Sequence, residues 1–176
     1  GSTITVGGSF TVCSGTFNAE ISSINVGRGF LQTNGMFRTD TAVLSIAGNF
    51  EADGTDTQFI TGNETINLTG TSKTYKTIND CWFGNGWKFN SLNITGSITA
   101  AVGSNTACVT DVMTVSGTLD LNTIDHVMLV GSTVTLSGAG TIQASGSGIL
   151  NLSPATVLGS GGTITAPVTY FQAPQN

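Results

Sequence analysis

Apolar and polar residues alternate along most of the chain, and the alternating pattern returns at a nearly constant interval. Each copy consists of two apolar residues separated by one residue of any type. In all copies but one, a glycine lies two positions after the second apolar residue. Copies begin at positions 4, 24, 44, 66, 92, 113 and 134. The fourth interval between copies, from 66 to 92, is the longest. Alternation of this kind predicts short strands with one apolar face.

The constant register of the repeat predicts a stack of similar coils. Phe10, Phe30 and Phe50 recur in step, as do Phe17 and Phe37 in the following stretch. Coils stacked ~4.8 Å apart bring such equivalent side chains into ladders. We therefore predict an all-β fold, a parallel β-solenoid with coils of about 20 residues. The alternative is an antiparallel β-sandwich, which also uses short strands and glycine turns but does not require a constant repeat.

A single domain is predicted over residues 1–176, interrupted by an unusual segment at residues 72–91. The longest step between copies falls there, and the segment holds three of the five basic residues and both tryptophans. We interpret it as an extended loop whose aromatic and basic side chains contact a neighbouring subunit or a glycan. The alternative is that they cover a flank of the solenoid. The candidate contact residues are Tyr75, Trp82, Phe83, Trp87 and Phe89.

Charge and hydropathy narrow the range of partners. The net charge is −5, and no basic residue follows Lys88, which argues against a nucleic-acid partner. No apolar run approaches the ~18 residues of a membrane span, so membrane insertion is not expected. Few charges, many threonines and asparagines, and a start without methionine predict a processed, exported chain at the cell surface or outside the cell.

Three cysteines, Cys13, Cys81 and Cys108, form an odd set. In an oxidising compartment an odd cysteine implies a bond to another chain or a free thiol. All three are therefore candidates for disulfides between subunits, and the alternative is that they are buried, unreactive thiols. Their spacing does not match a zinc site.

Four sequons for N-glycosylation occur, at Asn63, Asn67, Asn93 and Asn151. Asn67 and Asn93 lie between inward-facing apolar residues, so that a glycan attached to them would point outward. Pro154, after the last sequon, disfavours modification there. The sequence therefore permits glycosylation, although such triplets also arise by chance in a chain rich in asparagine and threonine.

Catalytic and metal-binding motifs are missing from the sequence. The only histidine, His126, lies in a strand-like stretch and is interpreted as structural. Glu51 and Asp53, the best pair of carboxylates for glycoside chemistry, lie at a turn-like segment. We predict no enzyme, no cofactor and no resident metal. Because Glu20 and Asp40 are one period apart, a weak effect of calcium is a further hypothesis.

Several segments resemble the Gly/Thr/Asn-rich β-solenoid repeats of microbial cell-surface proteins: 48–50, 68–72, 89–94 and 115–121. Proteins of that group are adhesins, surface-layer components and subunits of filaments or sheaths. Within it, a short chain with cysteines resembles the amyloid-like structural proteins of archaeal sheaths. The resemblance implies a β-solenoid fold and a role in assembly or display.

The first coil has no charged residue before Glu20 and no capping element, and open strand edges recruit other chains. We therefore predict a secreted structural protein that assembles with itself into a sheath, filament or surface lattice by β-edge pairing, with disulfides as reinforcement. One alternative is an adhesin or phage-fibre module that binds glycans. Another is a carbohydrate-active β-helix enzyme. An ice-binding solenoid is disfavoured because the Thr-x-Thr pairs do not repeat in register.

Overall fold

A computed structural model of the protein describes residues 1–20, 23–39, 41–52, 58–61, 63–77, 81, 88–101, 104, 106–122, 127–152 and 156–170. These residues form an all-β parallel solenoid with coils of about 21 residues. Each coil contributes one short strand to each of three sides, and the strands pair with their equivalents in the next coil. The predicted fold class is therefore confirmed, and the antiparallel sandwich is wrong, since every described strand pair is parallel.

The first side of the solenoid, sheet 1, contains eight strands. In spatial order they are β1 (Thr3–Val6), β4 (Ser23–Val26), β7 (Val43–Ile46), β10 (Thr65–Leu68), β13 (Ser91–Ile94), β16 (Val112–Val115), β19 (Thr133–Ser137) and β22 (Thr156–Ser160).

The second side, sheet 2, also contains eight strands. In spatial order they are β2 (Phe10–Val12), β5 (Phe30–Gln32), β8 (Phe50–Ala52), β11 (Lys73–Thr77), β14 (Ser97–Ala100), β17 (Thr118–Asp120), β20 (Thr141–Gln143) and β23 (Thr163–Ile164).

The third side is divided into two smaller sheets. The three-stranded sheet belongs to the first three coils and consists of β3 (Thr16–Glu20), β6 (Met36–Thr39) and β9 (Gln58–Thr61). The five-stranded sheet belongs to the later coils and consists of β12 (Lys88–Phe89), β15 (Ala107–Val109), β18 (Val127–Val130), β21 (Ile149–Leu152) and β24 (Val168–Tyr170).

The register of sheet 1 follows the sequence repeat residue for residue. Val6 pairs with Val26, and Val26 pairs with Ile46, as the constant interval of the first copies predicts. The irregular steps are accommodated without loss of register, because Leu68 still pairs with Ile94 across the longest step of the repeat. The additional residues of that step are therefore placed outside the strands of sheet 1.

Two stacks of phenylalanine rings fill the core of the first coils. Phe30 is parallel to Phe10 and to Phe50, with ring centroids 5.8 and 5.4 Å apart. Phe17 and Phe37 form a second stack at 5.4 Å. The two stacks meet edge to face, because the rings of Phe30 and Phe37 are 5.1 Å apart at 80°. Such pairs contribute about 0.5–1.5 kcal/mol beyond the area they bury.

Small residues at the corner between sheets 1 and 2 let adjacent coils approach closely. A Cβ atom at Gly48 would overlap the carbonyl oxygen of Arg28 in the preceding coil. No side chain of any size fits in that space, so the position requires glycine. The corner after sheet 2 also requires a backbone conformation that favours glycine, since Gly15 and Gly35 have φ angles of 75° and 84°.

Candidate functional site

One ladder of apolar side chains runs through all eight strands of sheet 1. It begins at Ile4, which is 39% exposed, and ends at Val157, which is 40% exposed. Every other member of the ladder is at most 1% exposed. The intervening members are Ile24, Leu44, Ile66, Leu92, Met113 and Val134.

The first coil of the described chain, which we call the head face, leaves much of its apolar surface uncovered. In strand β1 the residues Thr3, Ile4 and Thr5 are exposed. Phe10 is half-buried, whereas Phe30, one coil further on, is fully buried. The difference arises because Phe30 is stacked between two rings and Phe10 has a stacked neighbour on one side only.

The last coil, formed by β22, β23 and β24, presents the opposite surface, which we call the tail face. Val157 is exposed on this face, and Ile164 and Val168 are half-buried. Gly159 lies opposite Leu136, which is buried all the same. Among the described residues, both faces therefore combine strand edges that pair with no further strand and partly exposed apolar side chains, which is an arrangement that recruits other strands.

The structure removes two of the three candidates for disulfides between subunits. Cys81 is joined to Cys108, with Cα atoms 5.8 Å apart. The pairing follows from the fold, because the Cys81 amide donates to the Thr106 carbonyl at 3.3 Å and so brings this residue beside strand β15. Cys13 has a free thiol and is exposed next to strand β2 in the head face.

The aromatic candidates do not form the predicted contact surface within the described residues. Tyr75 and Phe89 are buried in the core, where Tyr75 pairs with Phe50 and thus continues the phenylalanine ladder of sheet 2. The interpretation of these two as contact residues was wrong, because a buried ring is not accessible to a partner. The remaining candidates lie outside the described residues: Trp82, Phe83 and Trp87.

Burial raises the pKa of Tyr75 well above its ordinary value of 10.0, and the nearby Asp120 carboxylate raises it further. Asp120 itself accepts hydrogen bonds from the Gln143 side chain at 3.2 Å and from the Ser145 amide at 2.9 Å. This carboxylate is buried in the solenoid. It stabilises the turn after strand β20 and is not accessible to a substrate.

The four sequons differ in their accessibility. Asn63 is exposed, but Asn151 is 3% exposed in strand β21, so the folded chain does not present it for modification. Asn67 and Asn93 are half-buried on the outer side of sheet 1, as the alternation predicts. They form a polar ladder, in which Asn93 donates to Asn67 at 2.9 Å and Asn67 donates to Ser45 at 3.1 Å.

A groove of about 360 Å³ opens at the corner between sheets 1 and 2 in the first four coils. Arg28 and Lys73 both line it, and the coil between them contributes Gly48 and Asn49. Ser9 and Gly29 belong to the part nearest the head face, and Gly27 and Ala47 complete the lining. No sequence motif marks this groove, because Arg28 and Lys73 are far apart along the chain and only the stacking of coils brings them together.

The carboxylates do not converge in the part of the chain that the structure describes. Glu51 forms an ion pair with Lys76 at 3.4 Å on the outer side of sheet 2. Glu20 lies opposite Thr39, where a bulge shifts the register, and the pairing of Glu20 with Asp40 invoked for calcium stays a prediction. Asp40, Asp53 and His126 lie outside the described residues.

The described residues provide neither a metal centre nor a membrane-spanning helix. These residues contain no cluster of three or more His, Cys, Asp or Glu side chains that could hold a metal ion. The same part of the chain has no helix that is long and apolar enough to cross a membrane.

The fold defines the protein as an all-β parallel β-solenoid. Comparison with known proteins finds no matching family model, no matching curated protein and no matching solved structure. The role of the solenoid is therefore inferred from its own surfaces.

Proposed function

We propose that this chain is an extracellular structural subunit that assembles head to tail, the last coil of one copy stacking on the first coil of the next. The ladder from Ile4 to Val157 carries the proposal. A ladder with constant register has the same geometry at every step, so the step from one copy to the next can repeat the step within a copy. The product is a continuous solenoid, that is, a filament from which a sheath or lattice is built.

Continuing the register by one coil predicts the contacts at the joint. Thr156 would pair with Thr3 of the next copy, and Val157 would cover its Ile4. Gly159, which has no side chain, would lie opposite Val6 of the next copy and leave room for the Val6 side chain. Both partly exposed members of the ladder would then become buried like the residues between them. Burial of each side chain contributes up to about 1.5–3 kcal/mol.

Backbone pairing would supply the direction and specificity of assembly. The open edges of β1 and β2 offer the same donors and acceptors that strands use to pair within the chain. The arrangement is heterologous, because one surface binds a different surface of the next copy, and it therefore extends without closing. The Cys81–Cys108 disulfide supports an oxidising, extracellular location.

The proposal is tested by imaging and scattering of the parent chain and two end variants, Ile4→Asp and Val157→Asp. The parent chain is expected to form filaments, with fibre diffraction at about 4.8 Å along the filament axis. Each variant should remain monomeric, because a carboxylate buried between stacked coils lacks a partner. Val43→Asp is the matched control, since Val43 is 37% exposed but lies within the solenoid rather than at an end. Filaments from both end variants, or none from the parent chain, would refute head-to-tail stacking.

A further inference from the structure

We propose that the groove between Arg28 and Lys73 binds acidic polysaccharide, a chain of sugars that bears carboxylate or sulfate groups. The proposal does not depend on filament formation, because the groove lies on the side of the solenoid and stays open in both a monomer and a stack. It adds a binding activity to a structural role.

The two cationic side chains of the groove are not paired with any residue that the structure describes. Among the residues that the structure describes, Arg28 and Lys73 form no ion pair or side-chain hydrogen bond. Lys76, in contrast, is paired with Glu51 on sheet 2. Within the described chain no carboxylate lines the groove, although the sequence has twice as many acidic as basic residues. Two unpaired positive charges at the same open groove favour an anionic ligand.

The geometry of the groove suits an extended ligand. Arg28 lies in the second coil and Lys73 in the fourth, so their backbones are about 10 Å apart along the solenoid axis at ~4.8 Å per coil. Gly48 lies in the coil between them and has no side chain to divide the groove. An anionic chain that runs along the axis can therefore reach both cations at once.

The uncharged residues of the groove favour an acidic polysaccharide over other kinds of polyanion. Ser9 contributes a hydroxyl group, and the Asn49 side-chain oxygen already accepts a hydrogen bond from the Thr74 amide at 3.2 Å. The Asn49 NH₂ group is thus left to donate, and the Ser9 hydroxyl can donate or accept. An acidic polysaccharide supplies both the anionic groups that would pair with the two cations and the hydroxyl groups that would hydrogen-bond to Ser9 and Asn49.

The test is a titration of the folded chain with polyuronate, sulfated dextran, neutral dextran and polyglutamate of matched length, measured by calorimetry at low and high salt. The end variant Val157→Asp is used, so that the result does not depend on assembly. We expect polyuronate or sulfated dextran to bind at least tenfold more tightly than neutral dextran and polyglutamate. The first two arms distinguish carboxylate from sulfate as the acid. Binding should weaken with salt, because exposed charges are screened.

Three variants, each made in that background, locate the site. Arg28→Ala combined with Lys73→Ala is expected to weaken binding about tenfold. Lys76→Ala removes one positive charge elsewhere and should leave binding unchanged. Gly29→Ala keeps both charges but places a methyl group 3.4 Å from the Asn49 carbonyl oxygen and 3.7 Å from the Ser9 hydroxyl, and so narrows the groove. It should weaken binding without loss of folding, as judged by circular dichroism.

Several results would overturn the proposal. They are full binding by the Arg28→Ala, Lys73→Ala double variant, equal binding of polyglutamate, and an unchanged affinity in Gly29→Ala. The last would mean that charge alone attracts the polymer and that the groove is not the site. Absence of binding to every acidic polysaccharide would have the same consequence.

Discussion

Ile4 and Val157 are the two ends of a single ladder in sheet 1, and they have nearly equal exposure, 39% and 40%. The residues between them are buried because each has a neighbouring coil on both sides. The two end residues are thus geometrically equivalent positions that differ only in which side is uncovered. Assembly through these two faces therefore has a direction, which a mixing experiment can test.

A mixture of Ile4→Asp and Val157→Asp chains is expected to form heterodimers and nothing larger. The Ile4→Asp chain keeps a normal tail face, and the Val157→Asp chain keeps a normal head face, so one productive joint remains. After it forms, both outer faces of the dimer carry an aspartate. Analytical ultracentrifugation should show monomers for each variant alone and a mass of two chains for the mixture. Larger species in the mixture would contradict a joint made only of these two faces.

Oxidation should produce disulfide-linked dimers at most. Cys81 and Cys108 are bonded to each other, which leaves Cys13 in the head face. Residues 156–170 of the tail face contain no cysteine, so a disulfide cannot lock the head-to-tail joint. A bond between two Cys13 residues would join two head faces and block growth in that direction.

Non-reducing gels of oxidised protein should therefore show monomer and dimer only, and Cys13→Ser should abolish the dimer. Filaments should form equally well or better in Cys13→Ser. A ladder of covalent multimers, or a dimer that persists in Cys13→Ser, would be inconsistent with this arrangement of the three cysteines.

Replacement of Gly48 by alanine should disrupt the stacking of coils. The added Cβ would overlap the Arg28 carbonyl oxygen, and backbone cannot move aside without separating the coils. We expect a loss of at least about 3 kcal/mol in the free energy of unfolding. Gly7→Ala is the matched control, because no atom lies within 4 Å of a Cβ at Gly7, and its effect should stay within about 0.5 kcal/mol. Denaturant titration measures both.

Tyr75 should make the fold sensitive to alkaline pH. Its pKa in the folded state is raised above 10.0, chiefly by burial, so the native protein keeps the phenol neutral. The buried, neutral phenol of Tyr75 contributes fully to the free energy of unfolding below pH 10. This contribution is lost as the pH rises above 10, because the tyrosine of the unfolded chain releases its proton first. The loss is about 1.4 kcal/mol per pH unit in that range.

The comparison that isolates this residue is Tyr75→Phe, which preserves the ring in the sheet 2 ladder. Between pH 9 and pH 11 the unfolding free energy of the parent chain should fall more steeply than that of the variant. Parallel pH profiles for the two proteins would show that Tyr75 is not responsible.

The features that could be predicted from the sequence are those that its period specifies. The pairing of Val6 with Val26 and the stacking of Phe10 on Phe30 follow from one rule, that residues one repeat apart are neighbours. The third side could be predicted only in part, through Phe17 and Phe37, because its strands lie after turns of varying length and its two sheets do not share one repeat.

The amino-acid sequence by itself determined the solenoid, its coil length and the register of its long sheets, because alternation and spacing act between residues at a nearly constant interval. The tertiary structure decided which residues meet outside that register. It placed Cys81 beside Cys108 and brought Arg28 and Lys73 to one groove. These outcomes depend on contacts between residues that are not one repeat apart along the chain, and the repeat in the sequence does not encode such contacts.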